Sequence, residues 1–319
     1  MNNNYPQVSI IILNFNGLAL TKKCVDSVGH ITYPNYRLVI IDNNGGQKNG
    51  EILRAKYGKK HIVLENDKNL GYAGGNNVGI RYALTSLRAD YVLILNNDTV
   101  VHPSFLEQMV KSASPSLKIG MVGATILQHN KQDRIDTIGL KLLMSGLPYK
   151  RTNVQDPLFC PSGACALYSA KMLYDIEMNG EFFDEDFFLY AEDVDLGFRG
   201  ILRGYESMIA DDAIVYHKVS ATTKEQSPLS IYYGHRNTPL MILKNFPKSL
   251  LFRYGAKILF FQIITPIYYL FTNPRNIWTV VQSKIDALLL FPKMMQKRRL
   301  IQASITISNK DLVKRLSLR

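Results

Sequence analysis

Four short apolar runs in the first hundred residues, with helix-spaced segments between them, constrain this chain more than any other feature. Val8–Leu13 ends at Asn14-Phe15-Asn16-Gly17, and Leu18–Val28 has helical spacing. Arg37–Ile41 ends at Asp42-Asn43-Asn44-Gly45-Gly46. Ile62–Leu64 leads into a Gly- and Asn-rich loop and a helix through Ile80, Tyr82, Ala83 and Leu87. Tyr91–Leu95 ends at Asn96-Asn97-Asp98. Strands apolar on both faces, alternating with helices, predict an α/β fold: a mostly parallel central sheet flanked by helices. Such sheets bind ligands beyond the carboxyl ends of their strands, where the polar residues fall.

The second half reads less regularly. Shorter strands, turns and a long loop near Ser145–Pro157 precede a carboxylate-bearing helix, and a strand through Met208–Tyr216 ends at His217. A composition shift near Phe246 divides the chain into an α/β domain, 1–246, and a C-terminal helical region, 247–319. Leu250–Phe271 and Ile277–Phe291 there are apolar, aromatic and helical in spacing. The continuous apolar part, Ile258–Phe271, is broken by Gln262 and Pro266 and falls short of the ~20 residues a spanning helix needs. Of the net charge of +12, residues 293–319 hold eight Lys or Arg against Asp311 alone. Aromatic amphipathic helices with a basic tail suit an anionic membrane surface, with a helical subdomain or an oligomer contact as the alternatives. No zinc-finger spacing or RNP motif supports nucleic-acid binding. Cys24, Cys160 and Cys165 have no metal-ligand spacing and suit a reducing compartment. Met1–Pro6 has no basic or apolar leader, so export is not expected.

Ala191-Glu192-Asp193-Val194-Asp195 places three carboxylates in four residues. Val194, Phe198, Ile201 and Leu202 form one apolar helix face behind them. Asp195 has Arg199 four residues on, a pairing that explains it structurally. Glu192 and Asp193 have no such cation, although carboxylates at a helix start also complement its dipole. Asn14-Phe15-Asn16-Gly17 stands where a dinucleotide site would carry Gly-x-Gly-x-x-Gly, which argues against NAD or FAD. Asn69–Gly79 opens a helix with small residues that admit a ligand close to backbone N–H groups. Asp98 is a hard oxygen ligand for Mg²⁺ or Mn²⁺, or else a helix cap before His102-Pro103-Ser104.

Together, Val8–Gly17, Asp42, Asn69–Gly79, Asn96–Asp98, Cys160–Cys165, Phe182–Asp195 and His217 resemble glycosyltransferase family two, with the GT-A fold. The likeness leans to the family's bacterial rhamnosyltransferase-like branch, and Tyr233-Gly234-His235-Arg236-Asn237 shares it. The resemblance implies a nucleotide-diphosphate sugar donor (UDP- or dTDP-linked), a divalent metal (Mg²⁺ or Mn²⁺) and inversion at the anomeric carbon. It implies that Asn14, Asn16 and Asn76 or Asn77 line the nucleoside pocket and that Asp42 binds base or ribose. The resemblance makes 1–246 the nucleotide-sugar-binding and catalytic domain, with Asn96 and Asn97 binding the donor just before Asp98, the implied metal ligand, and His217 meeting metal or diphosphate. Asp193 matches the catalytic base, with Glu192 beside it. Two departures stand out: Asn96-Asn97-Asp98 replaces Asp-x-Asp, and Asn43-Asn44-Gly45-Gly46-Gln47 replaces the usual Ser/Thr-Asp-Gly-Ser.

Since a diphosphate leaves more readily once its charge is neutralised, one base suffices for the acceptor hydroxyl. These readings predict a glycosyltransferase in cell-surface polysaccharide synthesis, acting on a glycan or lipid-linked acceptor. The expected location is cytoplasmic and peripheral at the inner membrane face, with homo-oligomer contacts through the C-terminal helices. The alternatives are a sugar-1-phosphate nucleotidyltransferase and a non-catalytic sugar-nucleotide-binding module.

Overall fold

A computed structural model of the chain describes residues 5–44, 48–113, 118–218 and 227–317. Gly45, Gly46 and Gln47 of the segment after Asp42 lie outside the described residues, as do Met1–Asn4 and Arg319. The first half alternates as the sequence predicts, with one further helix, α2, that the sequence reading did not mark: β1 (Val8–Asn14), α1 (Leu18–Val28), β2 (Tyr36–Asp42), α2 (Asn49–Tyr57), β3 (Ile62–Glu65), α3 (Gly71–Thr85) and β4 (Tyr91–Asn96). These strands lie parallel in the order β3-β2-β1-β4. Successive side chains of a strand point to opposite faces. Ile11, Val39, Ile41 and Ile94 therefore pack with Ile80 and Ala83 of α3. Ile10, Ile12, Leu38 and Ile40 pack with Cys24, Val25 and Val28 of α1 on the other side. That double burial is why these strands read as unbroken apolar runs.

The second half is mixed. In chain order come β5 (Thr99–Val101), α4 (Phe105–Ser112), β6 (Ile119–Gln128), β7 (Lys131–Thr137), β8 (Leu140–Leu142), β9 (Pro148–Lys150) and β10 (Cys165–Ser169). Then follow α5 (Ala170–Ile176), α6 (Glu192–Leu202) and β11 (Glu206–His217). β10 inserts antiparallel between β4 and β6, and β11 runs parallel to β6 and antiparallel to β5. The segment expected as a loop at Ser145–Pro157 is partly ordered by sheet pairing. β9 pairs with β8, and Arg151 donates to the carbonyls of Ile138, Val154 and Asp156. α6 packs the expected apolar residues, Val194, Phe198, Ile201 and Leu202, into one core, but its other residues are not solvated in turn. It is buried on all sides, so its polar residues Glu192, Asp195 and Arg199 are interior.

Four helices close the chain: α7 (Pro228–Asn245), α8 (Lys248–Thr272), α9 (Ile277–Ala303) and α10 (Asn309–Lys314). α8 outruns the apolar segment Ile258–Phe271, extending over 25 residues. Among the described residues it is the one helix long and apolar enough to cross a membrane. Phe252, Phe271 and Trp278 are 94%, 79% and 79% exposed, and Leu288 and Leu289 of α9 are exposed as well. Part of the basic tail, expected to face an anionic partner, is instead paired within the fold, while Arg299, Lys310 and Lys314 are exposed. Lys293 and Lys297 pair with Asp186, Lys297 also with Glu181 and Asp184, and Arg315 with Glu206. Arg298 donates to the carbonyls of Leu243 and Phe246. The far half of α9 thus packs on the catalytic unit, across the boundary placed near Phe246.

Candidate active site

At the carboxyl ends of β1 and β2, strand register sets Asn14 beside Asp42. Asn14 Nδ2 donates to Asp42 Oδ1 at 2.8 Å, Thr21 Oγ1 to Asn14 Oδ1 at 2.7 Å, and Asn97 Nδ2 to Thr21 Oγ1 at 2.9 Å. Asn14 and Asn97 therefore hold Asp42 in place through a buried relay. Thr21 was not singled out in the sequence, where a mid-helix threonine carries no signal. Asn16 is exposed with φ +54°, and Asn96 uses its backbone N–H to Ala164 at 3.0 Å. Asn43 staples the next loop, donating to Asn69 Oδ1 and the Gly71 carbonyl at 2.9 Å each. Asn76 donates to the Tyr72 carbonyl while its buried Oδ1 has no partner. Asn77 is committed elsewhere, donating to the Phe183 carbonyl at 2.8 Å and accepting from the Phe183 N–H at 2.8 Å. It ties α3 to the segment before α6.

Pairing of β5 with β11 places His217 opposite Thr99, and so beside Asp98. His217 Nε2 lies 3.3 Å from Asp98 Oδ1, and its Nδ1 lies 2.9 Å from Asp136 Oδ2. Lys150 Nζ meets the other Asp136 oxygen at 2.6 Å. Burial alone would lower the imidazole; the Asp136 and Asp98 carboxylates outweigh it and raise its pKa to about 9. Asp98 Oδ1 is buried yet has no aligned hydrogen bond. A buried carboxylate facing a histidine that a second carboxylate orients would suit a divalent cation that displaces the imidazole proton and takes its other ligands from substrate or water. Among the described residues no cluster of three or more His, Cys, Asp or Glu could hold a metal unaided. Asp136 carries no motif, and only the β6–β7 pairing reveals it.

Asp193 and Glu192 open α6 after a turn with positive φ at Phe188, Tyr190 and Ala191 (62°, 67° and 70°). Each such residue costs about 1–2 kcal/mol relative to right-handed backbone. Asp193 Oδ2 accepts the Gly163 N–H at 3.0 Å and Oδ1 the Val194 N–H at 2.8 Å. Tyr72 Oη donates to the Gly163 carbonyl at 2.8 Å. A Cβ on Gly163 would lie 3.1 Å from Tyr72 Oη and 3.2 Å from Asp193 Oδ2, so glycine permits this approach. Burial raises the Asp193 carboxyl, opposed by those two N–H groups. Burial, and then the charge of Asp193, pushes Glu192 well above the ordinary range. Its Oε2 is buried without a partner. Burial raises the Tyr72 phenol well above its usual value, reinforced by Glu192, Tyr168, Asp193 and Asp98. Both carboxylate groups therefore bear on one side chain. Asp195, by contrast, is tied into the interior by Arg199 at 3.0 Å and Lys244 at 2.7 Å.

The sequence profile described as Glycosyl transferase family 2 matches residues 9–177. The chain is similar to the low-salt glycan biosynthesis hexosyltransferase Agl10 of Haloferax volcanii, 24% identical over 257 residues, 76% of this chain and 78% of that one. It is also similar to the O-antigen biosynthesis protein RfbC of Myxococcus xanthus, 25% identical over 248 residues. That match covers 72% of this chain but 18% of the relative. Among solved structures it is similar to GalNAc-T7 with UDP, GalNAc and Mn²⁺ (TM-score 0.59, 14% identity, 76% of this chain and 48% of that one). It is similar, too, to the mannosyltransferase PcManGT of Pyrobaculum calidifontis with GDP-Man and Mn²⁺ (TM-score 0.55, 15% identity, 95% and 84%). At these identities the structural likenesses show the fold.

Proposed function

The chain belongs to glycosyl transferase family 2 and is a glycosyltransferase of the GT-A fold; from that premise we propose that it is an inverting enzyme using Asp193 as general base. The donor is a nucleotide-diphosphate sugar, UDP- or dTDP-linked, carrying a hexose or a deoxyhexose such as rhamnose. The acceptor is a hydroxyl of a cell-surface glycan or its lipid-linked precursor. Relatives named for glycan and O-antigen biosynthesis, and neighbours holding UDP or GDP-Man with Mn²⁺, support that class.

The observation that carries the reading is the unequal environment of two adjacent carboxyls. Like charges this close cannot both ionise cheaply. Glu192, buried with an unpartnered oxygen, keeps the proton, whereas two backbone N–H groups favour the carboxylate of Asp193. Asp193 then accepts the acceptor's hydroxyl proton as that oxygen bonds to the anomeric carbon and the anomeric carbon–oxygen bond to the diphosphate breaks on the opposite face. Asp42, held by Asn14, orients the nucleoside. A divalent cation at Asp98 and His217 would neutralise the departing diphosphate. The exposed apolar surface of α8 and α9, with Arg253, Lys257 and Arg275 around it, docks at the cytoplasmic membrane face.

Calorimetric titration of UDP-, dTDP- and GDP-sugars with Mn²⁺ or Mg²⁺ tests the donor site. One sugar nucleotide should bind in a metal-dependent manner, with at least tenfold weaker binding in Asp98→Ala and His217→Ala. Binding indifferent to both substitutions, or no binding across the panel, would count against it.

A further inference from the structure

We infer that Asn237 is a positioning residue for transfer, fixing the turn that delivers Glu192 and Asp193 to the start of α6; this rests on the assignment of Asp193 as base. The Tyr233–Asn237 segment of α7 grips the segment leading into α6. The Nδ2 group of Asn237 donates to the carbonyls of Phe187, Leu189 and Tyr190 at 2.8 Å each. Those carbonyls crowd together because three of the four residues 188–191, Phe188, Tyr190 and Ala191, adopt positive φ. Side-chain-bearing residues persist there only when their surroundings over-determine them.

The amide cannot turn around. Arg236 Nε donates to Asn237 Oδ1 at 2.8 Å, which aims the NH₂ group at the turn. Arg236 Nη2 also reaches the carbonyls of Asp186 and Phe187 at 2.6 and 3.0 Å. From the other side, Tyr72 N–H donates to the Phe188 carbonyl at 2.7 Å, and the Phe188 ring stacks on Tyr233 at 5.3 Å. Gly71, at φ +71°, leaves room for that ring; a Cβ would lie 2.5 Å from it. The other polar residues on the buried face of α7 act elsewhere. Lys244 bonds Asp184 and Asp195, and Asn245 bonds Asp195, so both hold the flanks of the turn.

Asn237 is fully buried and uncharged. Without its donors, the Leu189 and Tyr190 carbonyls lose their side-chain partner, Phe187 keeps Arg236 alone, and the backbone relaxes toward ordinary φ. A base displaced by ~1 Å loses on the order of a hundredfold in rate while the donor pocket stays intact.

The test is a double-mutant cycle of Asn237→Ala and Asp193→Asn, read by kcat, donor Kd and thermal midpoint. The expected result for Asn237→Ala is a folded protein with donor Kd within about threefold of the parent and kcat reduced about a hundredfold. In the Asp193→Asn background the same substitution should cause no further loss, because the group it positions is already gone. Asn237→Ser, which keeps one donor, should fall between, and it replaces the alanine variant if that does not fold. Losses that multiply in the double variant, or kcat within threefold in folded Asn237→Ala, overturn the inference alone. Normal transfer by Asp193→Asn overturns the base assignment and the inference with it.

Discussion

At the scale of single residues, neighbours of identical chemistry part ways by environment. Glu192 and Asp193 are adjacent carboxyls, both raised by burial, but only Asp193 has two N–H groups favouring its charge. The acid limb of the kcat profile should therefore lie above ~3.9, the value of a free aspartate, because the base must lose its proton before it can act. A limb at or below that value would contradict the assignment. Glu192 gives a separate stability prediction. Its pKa is higher folded than unfolded, so stability falls as pH rises from the unfolded value toward the folded one. Glu192→Gln should raise the thermal midpoint at neutral pH, and the gain should vanish below about pH 4, where the unfolded carboxyl is itself protonated. Of these details the sequence disclosed the carboxylate cluster and the Asp195–Arg199 spacing. It did not disclose Gly163 and Tyr72 as their neighbours, because those contacts cross more than 25 residues and depend on β10 entering the sheet antiparallel.

Among elements, β1 to β4 were legible because burial on both faces leaves a continuous apolar run, and Asn14, Asp42 and Asn96–Asp98 stand at or just beyond their carboxyl ends. The pairing of β5 with β11 that joins Asp98 to His217 has no local signature, and neither does Asp136 on β7. The interior charge of α6 was not legible because Asp195 looks like a surface residue paired with Arg199; its further partners, Lys244 and Asn245, sit on α7, and Lys244 also meets Asp184 beside Lys297 of α9. That network gives a stability prediction. Lys244 and Asp184 are fully buried, and Lys297 shares the same carboxylate. Both lysines hold the Asp184 carboxyl below its usual range despite burial. Lys244→Met should destabilise the protein by about 3–5 kcal/mol in denaturant titration, since it strands buried charge. A change under ~1 kcal/mol would mean that Lys297 alone suffices.

In the whole molecule, the C-terminal helices do two jobs. The far half of α9 locks onto the segment before the carboxylates through Lys293 and Lys297. α8 and the near half of α9 leave Phe252, Phe271, Trp278 and Leu289 facing outward. The tail's positive charge, which in the sequence pointed to lipid, is accounted for in part by the first job. The membrane reading stands on the apolar face. Vesicle co-sedimentation should accordingly depend more on aromatics than on salt: Phe252→Ser with Trp278→Ser should release the protein, while 0.5 M salt should weaken binding only a few-fold. Full release by salt alone would return the explanation to the basic residues. The account as a whole meets its most direct test at Asp193. In Asp193→Asn, the donor should bind with parental affinity while transfer falls by 10²–10⁴-fold. Near-parental transfer by that variant, with donor bound, would contradict the mechanism.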